Sequence, residues 1–183
     1  MRTGSILATG LALATLLGGC APGDDGTAPP PTTTPPGTTS DATPKKIQLP
    51  RHWFDGELDH WVGQEWQSLD LLQYVQPPPS GLDDELKYLV FYGRNCDHCR
   101  DMFNDDLAPN PDLAARVTAV EVPVGQKQLR DPNPWPMPDT ACELRQLPLG
   151  PHWIMTTPLT IRLENGVVQC VEESGHEECM SLE

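Results

Sequence analysis

The chain has 183 residues, with 12 Lys and Arg against 26 Asp and Glu, so its formal net charge is −14. This length suits one domain of ordinary size with additional segments. The negative charge argues against nucleic acid as a partner, because phosphate binding requires clustered Lys and Arg. Proline occurs 21 times, which is more than twice the roughly 5% of average usage, so part of the chain is not expected to pack.

The first residues have the organisation of a bacterial export signal. Arg2 precedes an apolar run, Ile6–Leu17, which is shorter than the about 20 residues that span a bilayer and has the proportions of a signal-peptide core. The run ends in Leu-Gly-Gly-Cys at 17–20, which resembles the lipobox of bacterial lipoproteins. That resemblance implies a signal peptide over 1–19 and a lipid on Cys20. An ordinary secretory signal with a chance cysteine is the alternative.

A tether is predicted to follow the cysteine. Residues 21–46 contain seven Pro and seven Thr and almost no large apolar side chain. They cannot bury enough surface to offset the entropy of ordering, so we expect disorder over the linker 20–46. Ala21, rather than Asp, weakly favours the outer membrane by resemblance to Gram-negative sorting. We therefore expect the domain 47–183 to lie outside the cytoplasm in the cell envelope, anchored through Cys20, on the periplasmic face of the outer membrane in a Gram-negative cell.

The first half of the domain predicts a strand, a turn and a helix. Tyr88–Tyr92 is a continuous apolar and aromatic run, typical of a central strand that is buried on both faces, and Gly93 ends it. Apolar residues then recur at the helical spacing i, i+3, i+4 and i+8, and these are Cys99, Met102, Phe103 and Leu107. Ala108-Pro109 ends the helix, which begins at Cys96-Asp97-His98-Cys99.

The second half predicts short elements separated by a long connection. Asp112–Arg116 is a candidate short helix, and Thr118–Val124 alternates in the manner of a strand. The connection Gln126–His152 contains six prolines, and Thr140–Leu147 is its only candidate helix.

A β-hairpin is predicted near the end of the chain. Strands Leu159–Glu164 and Val167–Glu172 flank Asn165-Gly166, which is the strongest short hairpin signal. A two-residue turn would place Leu159, Ile161, Leu163, Val168 and Cys170 on one buried face. The order is a βαβ unit followed by a hairpin, which predicts an α/β fold with a central mixed sheet.

The Cys96-Asp97-His98-Cys99 motif has the spacing of a redox-active pair at a helix N-terminus. There the unpaired N–H groups and the helix dipole favour the thiolate, the form that attacks a disulfide. We predict that Cys96 forms the mixed disulfide and that Cys99 resolves it. His98 favours the Cys96 thiolate, whereas the negative charges of Asp97 and Asp101 oppose it.

Two segments resemble the thioredoxin superfamily. Residues 88–100 are similar to its active-site segment, and 156–168 are similar to its cis-proline strand and hairpin. The resemblance implies a thioredoxin-like fold with flanking helices, a cis-proline at Pro158 that packs against the two cysteines, and substrate contact through Thr157. We include Asn95 and Asp97, which flank Cys96, among the substrate-contacting residues.

The N-terminal part of the domain loosely resembles the entry strands of the periplasmic, TlpA-like branch, at Trp61–Gln64 and Leu69–Leu72. Some positions depart from the family. Asn95 stands where the family usually has Trp, and Asp97-His98 stands in place of Gly-Pro. Little chain follows Glu172, so the closing helix of the family is expected to be short or missing.

Other interpretations of these residues remain open at this point. The Cys96–Cys99 pair could be purely structural, or it could bind copper or zinc with His98 and the distant His176, although a metal site needs about four ligands. The remaining histidines stand beside tryptophans, where packing is favoured over metal binding: His52, His60 and His152. For Trp135, core packing or loop anchoring is favoured over contact with a partner.

Cys142, Cys170 and Cys179 leave three possible pairings. Because the predicted compartment is oxidising, one disulfide is expected, and we favour Cys170–Cys179. Cys142 is then buried or free.

The function expected from these observations is that of a membrane-anchored thiol–disulfide oxidoreductase. Its partners would be protein or small-molecule thiols and disulfides, with no cofactor, no metal and no nucleic acid, and the chain is expected to be a monomer. The alternative is a non-catalytic thioredoxin-like module that binds copper or a protein partner.

Overall fold

A computed structural model of the chain describes residues 47–124 and 133–181. All of these residues belong to one compact unit, Pro44–Glu183. The predicted signal peptide, Cys20 and the linker up to residue 46 lie outside the described residues. Among the described residues, no helix has the length and apolar character needed to cross a lipid bilayer.

A five-stranded mixed sheet forms the centre of the fold. Its strands are β2 (Lys87–Tyr92), β3 (Val117–Glu121), β4 (Glu143–Gln146), β6 (Leu159–Glu164) and β7 (Val167–Glu173). They lie side by side in the order β4-β3-β2-β6-β7. Strand β2 pairs in parallel with β3 and antiparallel with β6, and β4 is parallel to β3. The predicted central strand is therefore confirmed, as is an α/β fold with a mixed sheet.

The helices are few and short. Helix α1 (Asp97–Asp101) continues into a π-helical turn, Met102–Leu107, and α2 is Pro111–Ala114. The predicted apolar face is confirmed, since Cys99, Met102, Phe103 and Leu107 are all buried. The side chain of Asn110 caps α2 by accepting a hydrogen bond from the Leu113 N–H at 3.2 Å.

The hairpin turn is confirmed, but its register changes along the strands. Asn165 and Gly166 have φ values of 50° and 81°, as a two-residue hairpin turn of type I′ requires. Leu163 pairs with Val168 as predicted, but a bulge then places Cys170 opposite Arg162. The prediction that Cys170 shares the buried face with Ile161 is therefore wrong, because Gln169 is an extra residue in β7 that reverses the alternation.

Two further predictions of local structure are wrong. Thr140–Leu147 contains strand β4 instead of a helix, because pairing with β3 overrides local preference. Of the segments compared with entry strands, Leu69–Leu72 lies mostly in the 3₁₀ helix Asp70–Tyr74, while Trp61–Gln64 starts at the last residue of the 3₁₀ helix Leu58–Trp61 and continues as a turn. A further 3₁₀ helix, Trp66–Ser68, lies between them.

A small second sheet joins distant parts of the chain. Strand β1 (His52–Trp53) pairs in parallel with β5 (His152–Trp153). The tryptophans of this sheet are buried and the histidines are exposed.

The main sheet separates two apolar layers. Leu89 and Phe91 of β2 point into a layer built with the 3₁₀ helices and the small sheet, together with Ile161 and Leu163 of β6. Tyr88, Val90 and Tyr92 point into the opposite layer, which contains α1 and the π-helical turn. This alternation explains why every residue from Tyr88 to Tyr92 is apolar or aromatic, and it fixes α1 against one face of the sheet.

Candidate functional site

Cys96 and Cys99 lie where strand β2 leads through a tight turn into α1. Cys96 is the N-cap residue of α1, and its Sγ accepts a hydrogen bond from the Cys99 N–H at 3.1 Å. The two residues are paired as a disulfide, with their Cα atoms 5.2 Å apart. Cys99 is fully buried, whereas Cys96 is half-buried. Cys96 is therefore the sulfur that a partner can approach.

A buried glycine, Gly93, stands at the start of the turn that leads to Cys96. The Cys96 N–H donates to the Gly93 carbonyl at 3.2 Å and so closes the turn. A Cβ at Gly93 would lie 3.0 Å from Asn95 Oδ1, which is tighter than a side chain normally accepts, and at an ordinary contact distance of 3.4 Å from Thr157 Oγ1. The absence of a side chain at Gly93 therefore leaves room for the Asn95 side chain in this turn.

The Thr157–Pro158 peptide bond is cis, and the Thr157 carbonyl oxygen lies 3.4 Å from Cys96 Sγ. The sheet explains this proximity, because Phe91 in β2 is opposite Leu159 in β6. The residues that follow β2 and those that precede β6 therefore meet at the same end of the sheet. Pro158 is buried there, while Thr157 is partly exposed.

Charged side chains surround the exposed side of the motif. The Arg100 guanidinium binds Asp97 Oδ1 at 2.8 Å and Asp101 Oδ1 at 2.9 Å. The hydrogen bond and the charge of Asp101, with a smaller contribution from Asp97, raise the pKa of Arg100. Arg100 therefore offsets part of the negative charge next to Cys96. Asn95, Asp97 and His98 are all exposed at this surface.

The segment after β7 reaches the same surface. The pKa of Glu177 lies below its ordinary value, chiefly because its own backbone N–H and that of His176 donate to it. The positive charges of His176 and, to a smaller extent, His98 add to this effect. His176 Nε2 lies 2.9 Å from Asp106 Oδ2, so its ring is engaged with the π-helical turn.

The second disulfide holds this C-terminal segment. Cys170 and Cys179 are joined with an S–S distance of 1.99 Å. Thr160 Oγ1 donates to the Gly175 carbonyl at 2.9 Å, and Met180 packs into the apolar layer that contains α1. The segment thereby covers part of the sheet face beside α1.

Cys142 is a free, buried thiol. Burial raises its pKa, although a hydrogen bond with Thr140 opposes that effect.

Sequence reasoning did not assign Trp135 and Arg94 to the site. Trp135 packs against Tyr92 and Phe103, with ring centroids 6.1 Å and 5.6 Å away. Its backbone N–H donates to the Arg94 carbonyl at 3.1 Å. The expectation that Trp135 anchors a loop is confirmed. The sequence signal that could have pointed to Trp135 is a large aromatic residue in a proline-rich, mostly polar stretch.

The residues considered for a metal site do not come together. Within residues 47–124 and 133–181, no group of three or more His, Cys, Asp or Glu side chains could hold a metal ion. His60 lies 3.4 Å from Asp55, while Trp61 packs in the core. The preference for packing at the three His-Trp pairs agrees with the burial of Trp53, Trp61 and Trp153.

No family model, curated protein or solved structure matches the chain. A half-buried sulfur at a helix start, a buried partner sulfur and a carbonyl oxygen 3.4 Å away form an arrangement that can exchange disulfides.

Proposed function

We propose that the chain is a thiol–disulfide oxidoreductase with a thioredoxin-like fold. The contact between Cys96 Sγ and the Thr157 carbonyl oxygen, at 3.4 Å, is the observation that carries the proposal. It supports a site in which a partner sulfur reaches Cys96 while the partner's backbone runs beside Thr157. The β2–α1–β3 unit and the β6–β7 hairpin support the fold. Two features depart from the family: the helices are short, and the edge strand β4 lies within the proline-rich connection 126–152.

The proposed reaction is a reversible two-electron exchange. A partner thiolate attacks Cys96 Sγ, the Cys96–Cys99 bond breaks, and the Cys99 thiolate leaves and takes up a proton. A second partner thiolate then attacks the partner sulfur of the mixed disulfide and displaces Cys96. The partner is oxidised to a disulfide and the protein is reduced to a dithiol; in the opposite direction, Cys96 attacks and Cys99 resolves.

The difference in exposure between the two sulfurs supports these roles. A half-buried Cys96 can meet a partner, whereas a fully buried Cys99 meets only the sulfur that is bound to Cys96. The Cys99 N–H that points at Cys96 Sγ would stabilise a thiolate there, because hydrogen bonds to the charged form lower a pKa.

The same proposal places the protein outside the cytoplasm on a lipid anchor at Cys20. The Cys170–Cys179 disulfide supports an oxidising compartment, since such bonds are rare in reducing ones. Labelling cells with a radioactive fatty acid should mark the wild-type protein and leave Cys20→Ser unmarked. Equal labelling of both would contradict the anchor without bearing on the redox proposal.

The redox proposal is tested with purified Cys20→Ser protein, which carries no lipid. We expect it to exchange disulfides with dithiothreitol and with a reduced test protein. Cys96→Ser should abolish exchange, and Cys99→Ser should accumulate a mixed disulfide that is visible by mass spectrometry. Cys142→Ser is the matched control and should remain active. Equal activity of the Cys96→Ser variant and the parent protein would refute the proposal.

A further inference from the structure

An exposed apolar patch lies next to the loop that contacts Cys96. Phe54 and Ile154 are 65% and 41% exposed, and they directly follow the paired strands β1 and β5. The Ile154 N–H donates to the Trp53 carbonyl at 2.9 Å, so the two chain segments remain adjacent here. Exposed apolar side chains that lie together form a candidate interaction site.

A cavity opens at this patch. It has a volume of about 190 Å³, and it is lined by Phe54, Leu58, Ile154, Met155, Thr156 and Glu173, among others. Its walls are mainly apolar, and two acidic residues, Asp55 and Glu173, are among the lining residues. The Asp55 carboxylate accepts a hydrogen bond from the Trp61 indole N–H at 2.8 Å and lies 3.4 Å from His60, so the charge that favours a cationic partner is that of Glu173. The cavity is therefore suited to an apolar side chain from a chain that carries positive charge.

The cavity is continuous with the redox site along the backbone. Met155 and Thr156 line the cavity, and the next residue, Thr157, places its carbonyl oxygen 3.4 Å from Cys96 Sγ. An extended chain advances about 3.3 Å per residue. A polypeptide that runs beside 155–157 with its cysteine at Cys96 would thus bring a side chain two or three residues away to the cavity.

The occupant is a separate polypeptide. The tether, 21–46, has almost no large apolar side chain to offer, and small thiols such as glutathione have none. The net charge of −14, with Glu173 among the residues that line the cavity, favours a cationic partner. We infer that this cavity binds an apolar side chain of a cationic polypeptide substrate, two or three residues from its reacting cysteine. The inference rests on the proposed function, because it assigns a substrate class to that site.

The test compares three thiols as reductants of the Cys96–Cys99 disulfide in the Cys20→Ser protein. One is a lysine-rich peptide with a single Cys and a Leu two residues from it. The second has Gly in place of that Leu, and the third is glutathione. We expect the Leu peptide to react about tenfold faster than the Gly peptide, which is the gain from burying most of one apolar side chain.

Substitutions at the patch should remove this preference selectively. Phe54→Ser and Ile154→Ser should bring the rate of the Leu peptide down to that of the Gly peptide and leave the glutathione rate unchanged. Glu173→Gln should slow both lysine-rich peptides relative to glutathione, most clearly at low salt. Leu144→Ser, at an exposed leucine of β4, is the matched control and should change none of these rates.

A binding measurement separates this inference from the proposed function. The Leu peptide with Ser in place of Cys cannot react, and fluorescence anisotropy should show that it binds the wild-type protein and not Phe54→Ser. Binding without exchange would refute the redox function and leave the cavity assignment standing. Exchange with equal rates for the Leu and Gly peptides would overturn the inference alone. A wild-type dimer that becomes a monomer in Phe54→Ser would also overturn it, since the occupant would then be a second copy.

Discussion

Trp135 donates its indole N–H to the carbonyl oxygen of Gly93 at 3.2 Å, across 42 positions of sequence. Gly93 begins the turn that ends at Cys96, so a distant residue binds the backbone just before the Cys96–Cys99 motif. Arg94 adds to this contact, because its Nε donates to the Trp135 carbonyl at 3.1 Å and its guanidinium lies 5.0 Å from the indole centroid. Trp135 also packs on Phe103 and thereby connects the turn to the helical segment that follows it.

Trp135→Phe should slow the step in which Cys99 resolves a mixed disulfide. The phenyl ring keeps the packing but loses the hydrogen bond to Gly93, which is worth about 1 kcal/mol. A looser turn brings Cys99 less often into line with Cys96 Sγ, so we expect the mixed disulfide to persist about fivefold longer. Stopped-flow mixing with acid quenching and mass spectrometry measures its lifetime.

The control is Trp66→Phe. The Trp66 indole N–H also donates one hydrogen bond, to Asp83 Oδ1 at 2.9 Å, but Trp66 packs against the opposite apolar layer. A similar delay in both variants would mean that the effect comes from a general loss of stability rather than from the turn.

The Glu143 carboxylate should make strand β4 sensitive to acid. It accepts hydrogen bonds from Ser80 Oγ and Thr118 Oγ1 at 2.7 Å each, and Arg145 pairs with it. Burial by itself raises the pKa of Glu143, but these partners outweigh burial and the net shift is downward. A lowered folded-state pKa contributes stability that is present above the unfolded value of about 4.3 and is lost as the pH falls through the folded value.

The protection of the β4 amides against hydrogen exchange, relative to the intrinsic exchange rate at each pH, should therefore fall below about pH 4 in the wild-type protein. Glu143→Gln should show less of this acid dependence, and it should be less stable than wild type at pH 7 by about 1 kcal/mol. Glu164→Gln is the comparison, since Glu164 also pairs with an arginine. If β4 responded to acid in the Glu143→Gln variant as it does in the wild type, its acid sensitivity could not be assigned to Glu143.

The elements that sequence predicted well depend on local pattern. The apolar run of β2, the apolar face from Cys99 to Leu107 and the Asn165-Gly166 turn each carry their signal within a few residues. The thiol motif and its place at a helix start follow from the same stretch of chain. These features need no knowledge of what packs against them.

The features that sequence missed depend on distant partners. Strand β4 forms because β3 offers an edge for pairing, which no pattern within 140–147 reveals. The bulge at Gln169 is a single extra residue that only the pairing of both strands exposes. The contacts of Trp135 join segments about 40 residues apart, so its place at the site could not be read from its neighbours.

Loss of the Cys170–Cys179 disulfide should lower the free energy of unfolding by about 2.5 kcal/mol, as the loop-closure relation gives for a loop of this size. The bond closes a separation of nine residues and holds the segment that carries Met180 into the core. Urea denaturation of Cys170→Ser/Cys179→Ser measures the loss. Cys96→Ser/Cys99→Ser is the matched control, with a shorter loop of three residues, and a greater loss there would contradict the prediction.

Cys142 should resist alkylation in the folded protein. Burial raises its pKa, so the thiol stays protonated at pH 8 and the thiolate that reacts with iodoacetamide is scarce. In the reduced protein, we expect Cys96 to be labelled first and Cys142 only after denaturation, as read by peptide mass spectrometry. Rapid labelling of Cys142 under native conditions would show that the surrounding layer opens readily.

His98→Ala should raise the pKa of Cys96 and make the disulfide less oxidising. A positive imidazole near a sulfur stabilises the thiolate and hence the reduced form, so its removal favours the disulfide. The nearby carboxylate of Asp97 is bound to Arg100 at 2.8 Å, which offsets part of the negative charge beside His98 and Cys96. His98 is exposed, however, and solvent screens its charge, so we expect a shift of about 10 to 30 mV toward more negative potential. Titration of the thiolate absorbance measures the pKa of Cys96, and equilibration with glutathione measures the reduction potential.

The control is His52→Ala, at an exposed histidine of β1, which should leave the pKa of Cys96 and the potential unchanged. An unaltered Cys96 pKa in His98→Ala would mean that the imidazole interacts with Glu177, on which its charge also acts, and that the helix start alone sets the reactivity of Cys96.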